Sequence, residues 1–232
     1  MHAIWNLLAK RAGVGGAVFV WLFTACSSLL LWPVAVAVYL VEKPDIGWPG
    51  FGGMCVTAIL HLLYFIVLQR GYRVGDLSLV YPLARGTGLT LSTIMAVVIL
   101  SERPGPVTIG GLVLVVLGVV LLTWRGKSPE SEEKTRAAIK WGILCGMSIG
   151  VYSVWDKYMV SGVNVPPVLL ELFTGFALCV MLTPHAWTKR DMVRSLWSSH
   201  RREVIGVAIL APASYILALT AMSFTPLSSV AP

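Results

Sequence analysis

Seven stretches of this sequence are apolar over all or most of the length needed to cross a lipid bilayer. That succession leaves the chain few architectures. Val14 to Val41 carries no charge and is interrupted only by Pro33. Ile46 to Gln69, Leu77 to Ser101 and Val107 to Trp124 follow, with Arg85 the single charge inside them. Trp141 to Trp155, Pro166 to Trp187 (with Glu171 inside) and Val204 to Ser223 complete the series. A membrane-crossing helix needs about 20 apolar residues. None of the runs alternates with period two, which argues against a β-barrel. Charged residues make up 12% of the chain and hydrophobic ones 56%. A soluble domain carries about 25% charged residues, so this chain has too few polar groups to cover a water-facing surface. A disordered chain, a disulfide scaffold and a cytosolic domain are excluded. The expected class is an all-α, multi-pass protein of the cell membrane.

The formal net charge of +7 fits that class. Lys and Arg lie between the apolar runs, as expected near membrane surfaces. No basic stripe on a polar fold exists to bind nucleic acid. Cys26, Cys55, Cys145 and Cys179 all fall inside apolar runs and form no C-x-x-C pair. They read as small core or lipid-facing residues.

An internal repeat organises the runs. At one offset of 150 residues, Ala58 to Pro82 aligns without a gap on Ala208 to Pro232, with eight identities. At the same offset Leu22-Phe23-Thr24 falls on Leu172-Phe173-Thr174, and Trp5-Asn6 falls on Trp155-Asp156. Scattered apolar matches would not share one offset across separate helices. Residues 1–124 form a first unit of five helices, the first of them clipped. Residues 125–139 read as a polar linker, and 140–232 as a second, shorter unit. Five is odd, so the second unit enters the membrane in the opposite sense, an inverted repeat typical of transporters. The offset places the end of the full second unit about 42 residues past Pro232, and the start of the full first helix about ten residues before Met1. The expectation is therefore a ten-helix protein truncated at both ends.

Four stretches carry a resemblance: HAIWNLLAK near the start, GDLSLVYPLARGTG at Gly75 to Gly88, SER at Ser101 to Arg103, and TPLSSVAP at Thr225 to Pro232. Together with the repeat, they resemble the EamA family of the drug/metabolite transporter superfamily. The resemblance implies two facing five-helix bundles around a central site reached alternately from either side. It implies small-molecule cargo without naming it. It also implies cytoplasmic termini. The loops after the first, third, fifth and seventh helices hold 14 of the Lys and Arg, against 3 in the others. Positive-inside puts that basic set in the cytoplasm, opposite to the resemblance, so orientation stays open.

Arg85 is the sharpest candidate for the site. It lies at mid-depth, where an arginine costs about 2.5–3.5 kcal/mol and needs a partner or a wet cavity. It reads either as a substrate-binding group for a carboxylate or other anion, or as a structural arginine. Pro82, Gly86 and Gly88 flank it, a setting that would loosen the helix and free carbonyls toward a cavity. Trp5, Asn6, Trp155 and Asp156 pair through the repeat and are expected near its axis. Asp156 reads as a proton carrier or a partner for Arg85, or else simply ends its helix with Lys157. Glu171 reads as a proton-coupling acid or as an acid snorkelling to the interface. His61 and Tyr64, at i and i+3, read as cavity lining or as interhelical hydrogen-bonders. Tyr81 and Tyr215 share that reading. Gly142, Gly146 and Gly150 form a packing ridge. The basic segment from Trp187 to Arg202 reads equally as an interfacial helix or a solvated loop.

GKS at Gly126 to Ser128 lacks the earlier glycine of a P-loop, and neither H-E-x-x-H nor a catalytic triad is present. The expected function is a secondary transporter, an exporter, with no enzymatic activity and no cofactor. Its partners are a small-molecule substrate and the lipid bilayer, with a homodimer left open. The alternatives are a non-transporting fragment or half-assembly that needs a partner subunit, and a membrane-embedded enzyme acting on a lipid-linked substrate.

Overall fold

The computed structural model describes residues 2–12, 16–74, 77–124 and 132–230, and among these every regular element is an α-helix. The order is α1 (His2–Arg11), α2 (Ala17–Glu42), α3 (Gly47–Val74), α4 (Leu77–Leu100), α5 (Pro106–Trp124), α6 (Glu132–Ser161), α7 (Pro167–Thr188), α8 (Arg190–Ser199), α9 (Arg201–Phe224) and α10 (Leu227–Val230). Helices α2, α3, α4, α6, α7 and α9 are long and apolar enough to cross a membrane by length and composition. Helix α5 is apolar but shorter. The chain is a polytopic all-α membrane protein.

The apolar runs set the helices, and local chemistry sets their ends. Lys43 takes a left-handed conformation after α2 and returns its N–H to the Tyr39 carbonyl, 3.0 Å, closing the last turn. Pro166 and Pro167 open α7, where proline's missing N–H leaves no bond unmade. Pro33, Pro82, Pro184 and Pro212 lie inside helices that continue past them.

Two polar segments take a helical form here. Helix α6 begins at Glu132, so residues 132–139, read as linker, are helical. Charged residues form helical turns well, and their polarity says only that those turns lie outside the hydrocarbon. The basic segment after α7 is a helix, α8. Its Leu196 is buried, while Met192 and Trp197 are exposed. Residues 125–131, with the GKS sequence, lie outside the described residues, as do Gly75, Asp76, Ala231 and Pro232.

Helix α2 packs along α7. Helix α3 lies against α6 and α7, and α9 lies against α1 and α2. Helix α4 packs along α6 and carries α5 on its other side. The glycine ridge drives the α4–α6 contact. A Cβ on Gly146 would sit 2.5 Å from Thr87 Cβ and 2.9 Å from the Ala84 carbonyl oxygen. One on Gly142 would sit 2.8 Å from Leu83 Cβ. Gly86 and Gly88 do the same on α4: added Cβ atoms would collide with Val119 of α5 and Ile149 of α6, at 2.3 and 2.8 Å. Their expected role in opening the helix is therefore corrected. Helix α4 is continuous through them, and the glycines let neighbours approach.

Two apolar clusters fill the bundle. The larger includes Trp5, Phe19, Phe23, Tyr64, Tyr72 and Ile149. The smaller includes Met54, Met159, Leu170, Leu219 and Met222. A layer of buried polar groups lies on α3 and α6, and the functional site grows from it.

Candidate functional site

Helix geometry aligns Thr57, His61 and Tyr64 along one face of α3, since residues three or four apart share a face. Tyr152 and Asp156 align likewise on α6. The α3–α6 contact brings the two faces together, and Tyr215 of α9 closes the third side. Asp156 is fully buried. Its Oδ1 accepts the Thr57 hydroxyl at 2.8 Å, and its Oδ2 lies 2.9 Å from His61 Nε2. Tyr215 also donates its hydroxyl to Oδ2. The Tyr215 hydroxyl lies 3.3 Å from His61 Nε2. Aromatic rings enclose the imidazole. Its centroid lies 4.4 Å from Tyr152 and 5.2 Å from Tyr215, and Tyr64 stacks edge-on to Tyr152 at 5.3 Å.

This cluster forms one wall of a central cavity lined by residues of α1, α2, α3, α4, α6, α7 and α9. Trp5, His61, Tyr64, Arg85, Glu171 and Tyr215 all line it. The base and the acid come from helices at different places in the chain, Arg85 from α4 and Glu171 from α7. Arg85 also stands over the Tyr81 ring, 5.9 Å to its centroid. The cavity volume is about 50 Å³. That is room for a few waters, far below the roughly 300–1,000 Å³ of an occupied small-molecule site. In this arrangement of the helices the cavity has no room for such a molecule.

Asn6, Tyr81, Trp155 and Asp156 are not among the lining residues. Asn6 accepts the Tyr72 hydroxyl. Trp155 Nε1 donates to the Gly53 carbonyl at 3.1 Å, and its ring packs in the smaller apolar cluster. Asp156 stands behind the wall, holding His61 and Tyr215. It does not end its helix: α6 runs on to Ser161. Lys157 instead caps the neighbouring helix, donating to the carbonyls of Met222 (2.6 Å) and Thr225 (2.9 Å) at the end of α9. Sequence reasoning missed Tyr152, which touches three rings of the site. The available signal was its place one turn before Asp156 on the same face of an apolar helix. It also missed Phe23, Phe65, Thr24 and Thr174, which nothing separates from ordinary membrane-helix residues.

Two of the motif stretches meet at one end of the bundle. Glu102, centre of SER, accepts the backbone N–H groups of Leu227 (2.7 Å) and Ser228 (2.9 Å). The acid after α4 thus holds the first turn of α10, inside TPLSSVAP.

No family model matches the chain, and no solved structure matches it. It is similar to the quaternary ammonium compound-resistance protein QacH of Staphylococcus saprophyticus. The identity is 35% over 72 residues, which span 31% of this chain and 67% of that protein.

Proposed function

This chain belongs to the family of that quaternary ammonium compound-resistance protein, and from that premise we propose that it is a secondary transporter, exporting a small amphipathic molecule by alternating access. The observation that carries the reading is the narrow central cavity. Arg85 and Glu171 both line it, and so do aromatic rings from α1, α3, α6 and α9. Ionisable residues inside a membrane bundle mark transport pathways. A cavity this small admits cargo only if the helices part. Aromatic faces attract organic cations, and Glu171 supplies the opposite charge. Arg85 offers a bidentate partner to a carboxylate. The cargo is therefore an organic molecule with an apolar body and a charged group, carried by exchange or with protons.

The helix pairing supports the frame of two inverted repeats, as in drug/metabolite transporters of the EamA type. Exchanging α1 with α6, α2 with α7 and α3 with α9 turns the α3–α6 contact into α9–α1. It turns the α3–α7 contact into α9–α2 and leaves α2–α7 unchanged. The relative is named for resistance to a compound class, which supports transport over an enzymatic role.

The test is uptake into proteoliposomes of two probes, a tetraphenylphosphonium cation and an aromatic carboxylate. Each is measured for the wild type, Glu171→Gln and Arg85→Ala, with equal membrane insertion verified. Glu171→Gln should cut cation transport at least about tenfold by removing the counter-charge from a cavity shielded from water, and Arg85→Ala should do so for the carboxylate, where one lost charge-assisted hydrogen bond is worth that much. A wild type that carries either probe, with both variants matching it, would remove this cavity from the transport path.

A further inference from the structure

A second cavity, of about 260 Å³, opens at the end of the bundle where α2 starts and α3 and α7 finish. It differs from the central one in charge. Arg70 and Arg73 of α3, His185 of α7 and Lys189 after it line its rim, and no acid is among the lining residues that are described. None of the four is in an ion pair among the described residues. Helix α2 also points its N-terminus here. Gly16 precedes it with φ 51°, no side chain caps it, and a Cβ on Gly16 would sit 3.9 Å from the Arg73 guanidinium. A helix N-terminus carries partial positive charge. Gathering it with three or four cations is unfavourable unless an anion joins them.

A separate observation points to a ligand. Gln69 lines the same cavity and is 4% exposed, and its Oε1 has no hydrogen-bond partner. A buried polar atom without a partner is unfavourable, and a ligand hydroxyl or a water placed there would relieve it. Below the rim the wall turns apolar, through Val20, Leu62, Phe65, Ile66 and Leu182. Helix α8 borders the cavity at Met192, with Trp197 also exposed on it. Exposed Met and Trp on a short basic helix suit the headgroup–acyl boundary. A cationic rim over an apolar wall, at membrane-surface depth, fits an amphiphile with an anionic head.

We propose that this cavity is a binding site for an anionic phospholipid. Its phosphate would sit among Arg70, Arg73, His185, Lys189 and the start of α2. A headgroup hydroxyl would reach Gln69, and an acyl chain would follow the apolar wall. Basic pockets between membrane helices hold acidic headgroups in this way. The site is independent of the transport reading, although Phe65 forms part of both cavities.

The purified full chain in neutral detergent is titrated with phosphatidylglycerol, with phosphatidylcholine of the same acyl chains, and with inorganic phosphate. Thermal midpoint and native mass spectrometry are the readouts. Phosphatidylglycerol should bind and raise the midpoint, while phosphatidylcholine should do neither. The double variant Arg73→Gln/Lys189→Gln should weaken phosphatidylglycerol binding about tenfold or more, at about 1 kcal/mol per basic residue. Arg201→Gln/Arg202→Gln removes the same charge from exposed positions outside the cavity and should leave binding unchanged. Equal losses in the two double variants would mean diffuse attraction and overturn the site. So would equal binding of the two lipids. Stabilisation by inorganic phosphate as strong as that by phosphatidylglycerol would overturn the lipid and assign the rim to a free anion.

Discussion

At the scale of single residues, Asp156 shows how a membrane protein keeps a carboxylate away from water. It is fully buried, with Thr57, His61 and Tyr215 around its two oxygens. Removing the acid takes away the partner that three buried polar groups share, whereas removing one of those groups leaves the acid with two. Asp156→Ala should therefore destabilise by about 2–3 kcal/mol, and Tyr215→Phe by about 0.5–1.5 kcal/mol. For a chain of this length each kcal/mol is roughly 2–4 °C in the thermal midpoint, so melting in detergent ranks them directly. A Tyr215→Phe midpoint as low as that of Asp156→Ala would mean the acid is not the centre of the cluster. The sequence made Asp156, His61 and Tyr215 visible as polar side chains in apolar runs. It could not show that they are partners, because that depends on how α3, α6 and α9 dock. Trp155 shows the same dependence on docking. Its repeat pairing with Trp5 suggested a shared role, yet Trp5 faces the cavity and Trp155 reaches the Gly53 carbonyl.

At the scale of helices, the apolar runs were enough to find α2 to α7 and α9, because hydrocarbon thickness fixes their length. The start of α6 was not legible, since its first turns are charged and only hydrogen bonding distinguishes them from a loop. The glycine ridge was legible as packing, and the structure names its partner. At Gly146 a Cβ would meet backbone atoms of Ala84 and Gly88 at 2.9 Å, and these cannot swing aside as a side-chain end can. Gly146→Ala should force α4 and α6 apart and cost about 1–3 kcal/mol. Gly110, on the exposed face of α5, has nothing within 4 Å of an added Cβ. Alanine there should be neutral or stabilise by up to about 1 kcal/mol, because it favours the helix. Paired melts of the two variants separate crowding from helix propensity. Equal midpoints would show that the α4–α6 contact yields to an added methyl group.

At the scale of the whole molecule, the proposed alternating access requires that contacts at each end of the bundle hold the narrow central cavity shut. At the end where α4, α6 and α9 finish, the holding contacts are polar and cross between elements. Glu102 grips the start of α10, Lys157 caps α9, and Trp155 ties α6 to α3. Such contacts suit a gate: made they are strong, and broken they are replaced by water at the surface. Glu102 makes two charge-assisted hydrogen bonds to backbone N–H groups, each worth about 1.5–3 kcal/mol. Its loss should shift the population toward a state open at that end, by a factor of about ten for every 1.4 kcal/mol of bias. The reporter is Ser27→Cys, a buried cavity-lining position, in a background with Cys26, Cys55, Cys145 and Cys179 replaced. Adding Glu102→Ala should raise its labelling by a membrane-impermeant maleimide about tenfold or more, and only from the side that the α4, α6 and α9 ends face. Right-side-out and inside-out vesicles distinguish the sides. No change in rate, or an equal rise from both sides, would mean that Glu102 only orders α10 and that closure rests on the apolar packing between α2 and α7.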